Sequence, residues 1–449
     1  FDIALDLTIE KKKIYLIDNR YYHFQQYTAE KEIAKFLNQL NSDERADYDE
    51  RELEEKIEEL EDKLGIVYDD KQYAAINSFF KHRFSIITGG PGTGKTTIVK
   101  AMVETSKLIY PTYELHIVAP TGRAAKRISE LCNVKSSTIH SLLKWDKDTN
   151  TFTYGIDNPL LIDILIIDEF SMVDNWLFYK LILALYNIKK ICIIGDQNQL
   201  PSVGPGNLLH ELIQSEIFNV TFLDTIFRQS KKSDIITLAN DILSGDVDFS
   251  RYQDDVIFID ETNIDIKDKL IEIIDDSLAN GYSLEEIQVL SPMYKGNLGI
   301  DVANTILQET YNPPSEIKRE IKNRFFTYRE NDKILQLKNQ SSDDVYNGDI
   351  GFIEMIDTKE KKVIASFDDN YVEYDREDLN NISLAYCVSV HKAQGSEYDL
   401  VFFLVSRSHQ MMLKKKLIYT AVSRASHKLF ILGNKDAFIN GISQVERLR

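Results

Sequence analysis

From Phe84 onward, short and almost wholly apolar runs alternate with longer mixed stretches. "FSIIT", "LHIVA", "ILIID" and "ICIIG" are of this kind, and unbroken runs of that length predict strands buried on both faces of a parallel sheet. A second series, "VTFLD", "IQVLS", "YCVSV", "LVFFLV" and "LFILG", predicts a second α/β unit after the first. Between Asn323 and Leu384 the texture changes. "DKILQLKN", "NGDIGFIEMID", "KKVIASFDD" and "NYVEYD" are short strands broken by Asn-Gly and Asp/Asn turns, the pattern of antiparallel hairpins. A small β-barrel inserted in the second unit is expected there. Ahead of Phe84, "KKKIYLIDNRYYHF" reads as a hairpin. Thr28 is the expected N-cap of a helix over "AEKEIAKFLNQL". In the acidic run from Asp43 to Lys63, Leu53, Ile57, Leu60 and Leu64 share one helical stripe. Such charge runs are usually solvated, so a linker helix is expected. The first 66 residues thus form a short, mostly helical segment.

Composition narrows this picture only a little. A chain of 449 residues, 43% hydrophobic and 28% charged, suits two or three globular domains with separate cores. No apolar run is long enough to span a bilayer. The start, "FDIALDLTIEKKK", has neither an initiator Met nor a basic-then-apolar leader, and is expected to be the start of a fragment rather than a signal peptide. Cys132, Cys192 and Cys387 are scattered in apolar contexts, which fits buried small hydrophobes in a reducing cytoplasm and excludes a disulfide or zinc framework. The formal charge of −18 argues at first against nucleic acid. Asp43 to Lys63 alone holds twelve acids and four bases, however, and without it the chain stands at −10. A local basic groove stays open, and global charge decides nothing.

The chemistry begins at "GGPGTGKT", Gly89 to Thr96. Glycines at this spacing let the backbone N–H groups of Gly90, Pro91, Gly92, Thr93 and Gly94 (Pro91 excepted as a donor) wrap phosphates, and the helix that follows adds its positive end. Lys95 can reach the β- and γ-phosphates of ATP, Thr96 can ligate Mg²⁺, and Thr97 continues the first turn. The loop lies between a predicted strand and a predicted helix, as that mechanism requires. "DILIIDEF" puts Asp168 and Glu169 at the end of a buried strand, where Asp168 suits Mg²⁺ and Glu169 the attacking water. Gln72 either hydrogen-bonds an adenine edge or is a surface residue. Gln199, in "GDQNQLPSVGPGN", either reaches toward the γ-phosphate or belongs to a plain Gly/Pro turn.

"GGPGTGKTT", "APTGRAAKR", "STIHSLL", "IIDEFSMVD", "GDQNQLPSVGPG", "FRQS", "VHKAQGSEYD" and "YTAVSRA" follow one another from Gln72 to Ala425. In this order the chain resembles superfamily 1 helicases, and most closely the RecD-like DNA helicases of bacteria. The resemblance implies an α/β fold of two tandem RecA-like P-loop domains with parallel sheets, over residues 67–224 and then 225–322 with 385–449. It implies an SH3-like β-barrel over 323–384 and a strand-separating pin hairpin over 143–155. ATP with Mg²⁺ would lie between the lobes, and single-stranded DNA would cross them both, with movement 5′→3′ on a duplex bearing a 5′ single-stranded tail.

Arg424 and Arg228 would then reach the γ-phosphate from the second lobe, a task suited to a planar, permanently charged fork. The alternative for Arg424 is a surface ion pair, worth under about 1 kcal/mol. Pro120, Thr121, Arg123, Thr138, His140, Ser389, His391 and Lys392 resemble contacts to the strand backbone, and each could instead cap or fill the core. Glu397 resembles a nucleotide-ribose contact and could equally be a surface acid. No membrane partner is expected, a monomer is one reading of the oligomeric state, and no cluster of acids outside the ATP site suggests a nuclease. An RNA-directed helicase and an ATP-gated DNA-binding subunit of a nuclease complex stand as alternatives.

Overall fold

The computed structural model describes residues 13–42, 48–146, 149–225, 233–262, 265–323, 326–340, 343, 345–368 and 370–444. The chain divides into two compact units. One comprises Phe1–Pro120, Ala124–Gln197 and Pro201–Ile226, the other Thr121–Arg123, Asn198–Leu200 and Phe227–Arg449.

The first unit opens with strands β1 (Ile14–Ile17) and β2 (Arg20–His23), paired antiparallel across Asp18-Asn19. Both turn residues have positive φ, 47° and 59°, the two-residue turn whose twist matches that of the strands. The chain runs straight from β2 into a helix over Phe24–Ser42, and the Phe24 N–H donates to the Lys13 carbonyl. Thr28 therefore lies inside this helix and does not cap it, because closure of the hairpin starts the helix earlier than side-chain signals suggested. The acidic helix, Glu50–Leu64, is capped by Asp49 and stops at Gly65 in the left-handed region. Leu53, Ile57 and Leu60 are buried against Ile98, Val99 and Met102 of helix Lys95–Ile109. It is a packed layer of the domain, not a solvated linker. Only its outer face keeps its acids in water.

The central sheet of this unit contains β3 (Phe84–Gly89), β4 (Leu115–Ala119) and β5 (Ser136–Thr138). The hairpin β6 (Trp145–Asp146) and β7 (Thr151–Phe152) stands apart from it. The sheet resumes with β8 (Ile164–Ile167), β9 (Lys190–Gly195) and β10 (Asn219–Leu223). The order is β10-β3-β9-β8-β4-β5, with every neighbour parallel. Period-two alternation sends Phe84, Ile86, Leu165, Ile167, Ile191 and Ile193 into one core. Ile87, Ile164, Ile166, Cys192 and Ile194 enter the other. Helices cover both faces, which is why the strands read as unbroken apolar runs. "VTFLD", expected at the head of the second series, instead closes the first sheet beside β3. It is an edge strand, largely half-buried, so its composition does not mark which sheet it joins.

The second unit has its own parallel sheet. Its strands are β11 (Val256–Asp260), β12 (Ile287–Ser291) and, after an antiparallel interruption, three more. The interruption is the hairpin β13 (Glu320–Lys322) and β14 (Thr327–Arg329), followed by β15 (Lys333–Gln336), β16 (Ile350–Asp357), β17 (Lys362–Phe367), β18 (Asn370–Tyr374) and β19 (Ile382–Leu384). The last five form an antiparallel sheet in the order β18-β17-β16-β15-β19. The parallel sheet then gains β20 (Cys387–Ser389), β21 (Tyr398–Val405) and β22 (Ala425–Gly433), in the order β11-β22-β21-β12-β20. Ile334, Ile353, Val363 and Tyr374 of the insertion share one core with Leu400, Phe402 and Leu432 of the parallel sheet. The insertion is thus fused to the sheet that carries it by a single apolar interior.

Candidate active site

In the first unit, the ends of β3, β9 and β8 lie side by side, because register pairs Thr88 with Gly195 and Ile167 with Ile193. That edge carries the loop Gly89–Gly94 and the acids Asp168 and Glu169. Ligands collect at such C-terminal edges in open α/β sheets. Gly92 and Gly94 hold φ of 73° and 81°, a region that favours glycine. Gly89 is needed for space. A Cβ there would stand 2.7 Å from Thr93 Oγ1 and 2.8 Å from Leu223 Cβ on β10.

Helix Lys95–Ile109 starts at Gly94 with no side-chain cap. Lys95 Nζ donates to the Gly89 carbonyl at 2.7 Å and the Gly90 carbonyl at 2.9 Å, and Thr93 Oγ1 donates to the latter at 2.9 Å. The lysine is folded back over its own loop, and Thr96 and Thr97 follow it in the first turn. Gln72 is buried at 3% exposure, which removes the surface-residue reading. Its Oε1 accepts from Asp69 N–H while Asp69 caps its own N–H, a capping box for helix Asp70–Lys81. Its Nε2 faces the Thr93 carbonyl at 3.5 Å.

Asp168 follows β8 directly, and its N–H donates to the Val118 carbonyl. Burial first, and the charge of Glu169 second, push its carboxyl up to about 6. Glu169 has left-handed backbone angles, φ 50° and ψ 39°, which are strained for glutamate. They turn the chain sharply from strand into the short turn Phe170–Met172. A half-buried carboxyl at the same sheet edge as a loop that leads into the hydroxyls of Thr96 and Thr97 offers oxygen donors suited to a hard cation. Among the described residues no group of three His, Cys, Asp or Glu side chains forms a metal cluster.

Thr138 is buried, and its Oγ1 caps the next turn by accepting from Ser141 N–H at 3.0 Å. His140 packs on Trp145 and Phe152, the facing pair of hairpin β6–β7, and burial lowers its pKa. Pro120 ends β4, and Thr121 and Arg123 enter helix Gly122–Cys132.

In the second unit, Arg424 is buried at 4% exposure, so it is not a surface residue paired with a carboxylate. Its Nε donates to the Thr420 carbonyl (3.1 Å), Nη1 to the Ser396 carbonyl (2.9 Å) and Nη2 to Ser423 Oγ (3.0 Å). All three acceptors are neutral. Ser389 ends β20, and His391 and Lys392 follow it. Burial lowers the pKa of His391 and of Lys392, and Lys392 Nζ donates to Asn347 Oδ1 at 2.8 Å. Asn347, in "YNGDIG", reads in sequence only as a turn residue, and a long-range partner of this kind leaves no local signal. Glu397 is exposed ahead of β21. Gln199 is buried at 5% exposure, and its Oε1 has no hydrogen-bond partner among the described residues. Arg228 lies outside the described residues.

A phosphate-binding loop in one parallel-sheet unit, followed by a second such unit carrying a β-barrel insertion, defines a tandem α/β nucleotide-binding protein. Residues 72–205 match the family described as an AAA domain, residues 303–367 the ATP-dependent RecD-like DNA helicase SH3 domain, and residues 384–432 the UvrD-like helicase C-terminal domain. The chain is 31% identical to the ATP-dependent RecD2 DNA helicase of Deinococcus radiodurans, over 82% of this chain and 49% of that one. It is 27% identical to the RecBCD enzyme subunit RecD of Buchnera aphidicola subsp. Schizaphis graminum, over 98% of this chain and 83% of that one. It spans about half the length of the Deinococcus relative. The crystal structure of Bacteroides Pif1 bound to ssDNA shares the fold at a TM-score of 0.51 and 18% identity, over 85% of this chain and 95% of that one. The chain belongs to the RecD-like helicases of superfamily 1.

Proposed function

We propose that this chain is the motor of an ATP-dependent DNA helicase that moves 5′→3′ along single-stranded DNA. The observation that carries the reading is the convergence of Lys95, Thr96, Asp168 and Glu169 on one sheet edge, with a buried arginine, Arg424, whose hydrogen-bond acceptors in the second unit are all neutral among the described residues. A buried guanidinium of that kind gains most from an anion.

In this reading residues 67–224 form the first lobe, residues 225–322 and 385–449 the second, and residues 323–384 the barrel. Lys95 leaves the carbonyls of Gly89 and Gly90 for the β- and γ-phosphates of ATP, so nucleotide replaces bonds the loop already makes to itself. Thr96 and Asp168 would hold Mg²⁺, which would supply positive charge to the phosphate oxygens. Glu169 takes the proton of the attacking water, and Gln199 orients the γ-phosphate end of the site. Gln72 and Glu397 contact the base and ribose. Arg424 and Arg228 stabilise the charge that develops on the transferred phosphoryl group. Hydrolysis removes the anion that both lobes grip, so closure and opening alternate with turnover. Pro120, Thr121, Arg123, Thr138, His140, Ser389, His391 and Lys392 hold the strand, and hairpin β6–β7 divides the duplex. The Buchnera likeness, to a protein named as a subunit of the RecBCD enzyme, favours a second reading in which the chain is an ATP-gated DNA-binding subunit of a nuclease complex.

The test is ATP turnover with single-stranded DNA, with RNA and with neither, on wild type, Lys95→Ala and Arg424→Ala. Arg424→Ala should bind ATP yet hydrolyse it about 10³-fold more slowly. Unchanged turnover in Lys95→Ala would end the motor reading, and stimulation by RNA alone would end the choice of DNA.

A further inference from the structure

The start of the first unit reaches the loop that follows Gln199 through a residue the chemistry above does not use. Helix Phe24–Ser42 packs along helix Asn175–Leu183, and Glu30 Oε1 accepts from Asn175 Nδ2 at 3.1 Å. Asn175 is 1% exposed. Its N–H donates to the Pro205 carbonyl at 3.1 Å, and its side-chain amide lies against Gly206, where a Cβ would overlap the amide oxygen. Gly206 has φ of 111°, a backbone glycine alone adopts readily. One residue earlier Asp174 caps the same helix by accepting from Leu177 N–H, and a Cβ at Gly204 would run into its carboxylate. Ser202 Oγ braces the loop from within, 2.9 Å from both the Gly204 and the Gly206 carbonyls.

Two glycines of the loop are therefore pressed onto Asp174 and Asn175, close in sequence after Glu169. Upstream of Gln199, Gly195 presses on the same segment, where a Cβ would stand 3.3 Å from Phe170 N and 3.2 Å from Ser171 N. The stretch from Glu169 to Asn175 is gripped at both ends by the stretch from Gly195 to Gly206. A glutamate stays in left-handed backbone only where its surroundings over-determine it, and this double grip does so. We propose that Asn175 is a positioning residue for ATP hydrolysis, registering Glu169 against the Gln199 loop, and that Glu30 on the preceding helix sets the orientation of its amide. The inference rests on the ATPase reading and adds to it an input from the N-terminal helix.

Its test is steady-state ATP turnover with single-stranded DNA on the full chain, with thermal midpoints measured alongside. Asn175→Ala should lower kcat on the order of tenfold, as misplacement of a reacting group does, while KM for ATP stays within about twofold. A merely structural role would lower the midpoint and leave the kcat of the folded fraction intact. Glu30 is exposed, so Glu30→Ala should fold normally and lower kcat severalfold. Glu30→Gln keeps the acceptor and should match wild type. Asn175→Asp sets two carboxylates face to face and should lose activity, and adding Glu30→Gln should restore it by reversing donor and acceptor. Wild-type kcat in Asn175→Ala, or an Asn175→Asp defect that Glu30→Gln leaves untouched, overturns the proposal. A wild type without turnover overturns the ATPase reading, and this proposal with it.

Discussion

At the residue scale, the groups proposed to meet phosphate could be picked out in sequence because such chemistry depends on local spacing. Asp168 carries a measurable consequence of its setting. Burial raises its pKa to about 6 in the folded chain, against about 3.9 when unfolded. Between those values the folded state binds more protons than the unfolded one, so this carboxyl makes stability fall as pH rises from about 4 to 6. Asp168→Asn removes the contribution. The melting temperature of the variant should exceed that of wild type by a margin that widens over this window and is largest at neutral pH. Mg²⁺-ATP should then raise the midpoint of wild type and leave Asp168→Asn nearly unmoved, a comparison readable by differential scanning fluorimetry. Other residues were not legible at this scale. Gln72 completes a capping box and faces Thr93 across 21 residues, and Arg424 is held by its neighbours Thr420 and Ser423 together with the Ser396 carbonyl, 28 residues earlier. In each case the long-range contact has no local spacing to announce it.

At the element scale, composition and burial part company in helix Glu50–Leu64. The helix itself follows from the spacing of Leu53, Ile57 and Leu60, but its neighbour does not, since the same stripe would suit a linker touching nothing. In the structure those three side chains face helix Lys95–Ile109, whose first residue is the phosphate-loop lysine. Ile57, at 0% exposure, should cost about 2–4 kcal/mol on change to alanine, whereas Glu55→Gln on the exposed face should stay within about 0.5 kcal/mol. Urea denaturation of the two variants checks this. Near-equal midpoints would mean that the helix is detached in solution, as its charge alone suggested. The strands divide in the same manner. Those buried on both faces announced themselves, while β5, built of Ser136, Ser137 and Thr138, and the edge strand β10 were unread or misassigned because edge positions tolerate polar residues.

At the scale of the whole molecule, the two parallel sheets and the antiparallel insertion within the second were readable from texture, since strands buried on both faces and hairpin strands broken by turns read differently in sequence. The order of strands in the second sheet was not readable, because register depends on partners far apart in sequence. Two compact units of similar size should unfold in calorimetry as two transitions when no ligand is present. A nucleotide held by one unit would lift one transition, and a nucleotide held by groups from both would lift both. At 100 times its Kd a ligand adds about 2.7 kcal/mol to whatever it binds. For a unit of roughly 200 residues that raises the midpoint by about 5–10 °C. With a non-hydrolysable ATP analogue, Mg²⁺ and single-stranded DNA, both transitions should rise together. In Arg424→Ala with nucleotide alone, only the first should rise, since Lys95, Thr96 and Asp168 remain while the γ-phosphate contact proposed for Arg424 is removed. If nucleotide never moves the second transition of wild type, Arg424 serves only its own fold, and the proposed motor reading loses its coupling step.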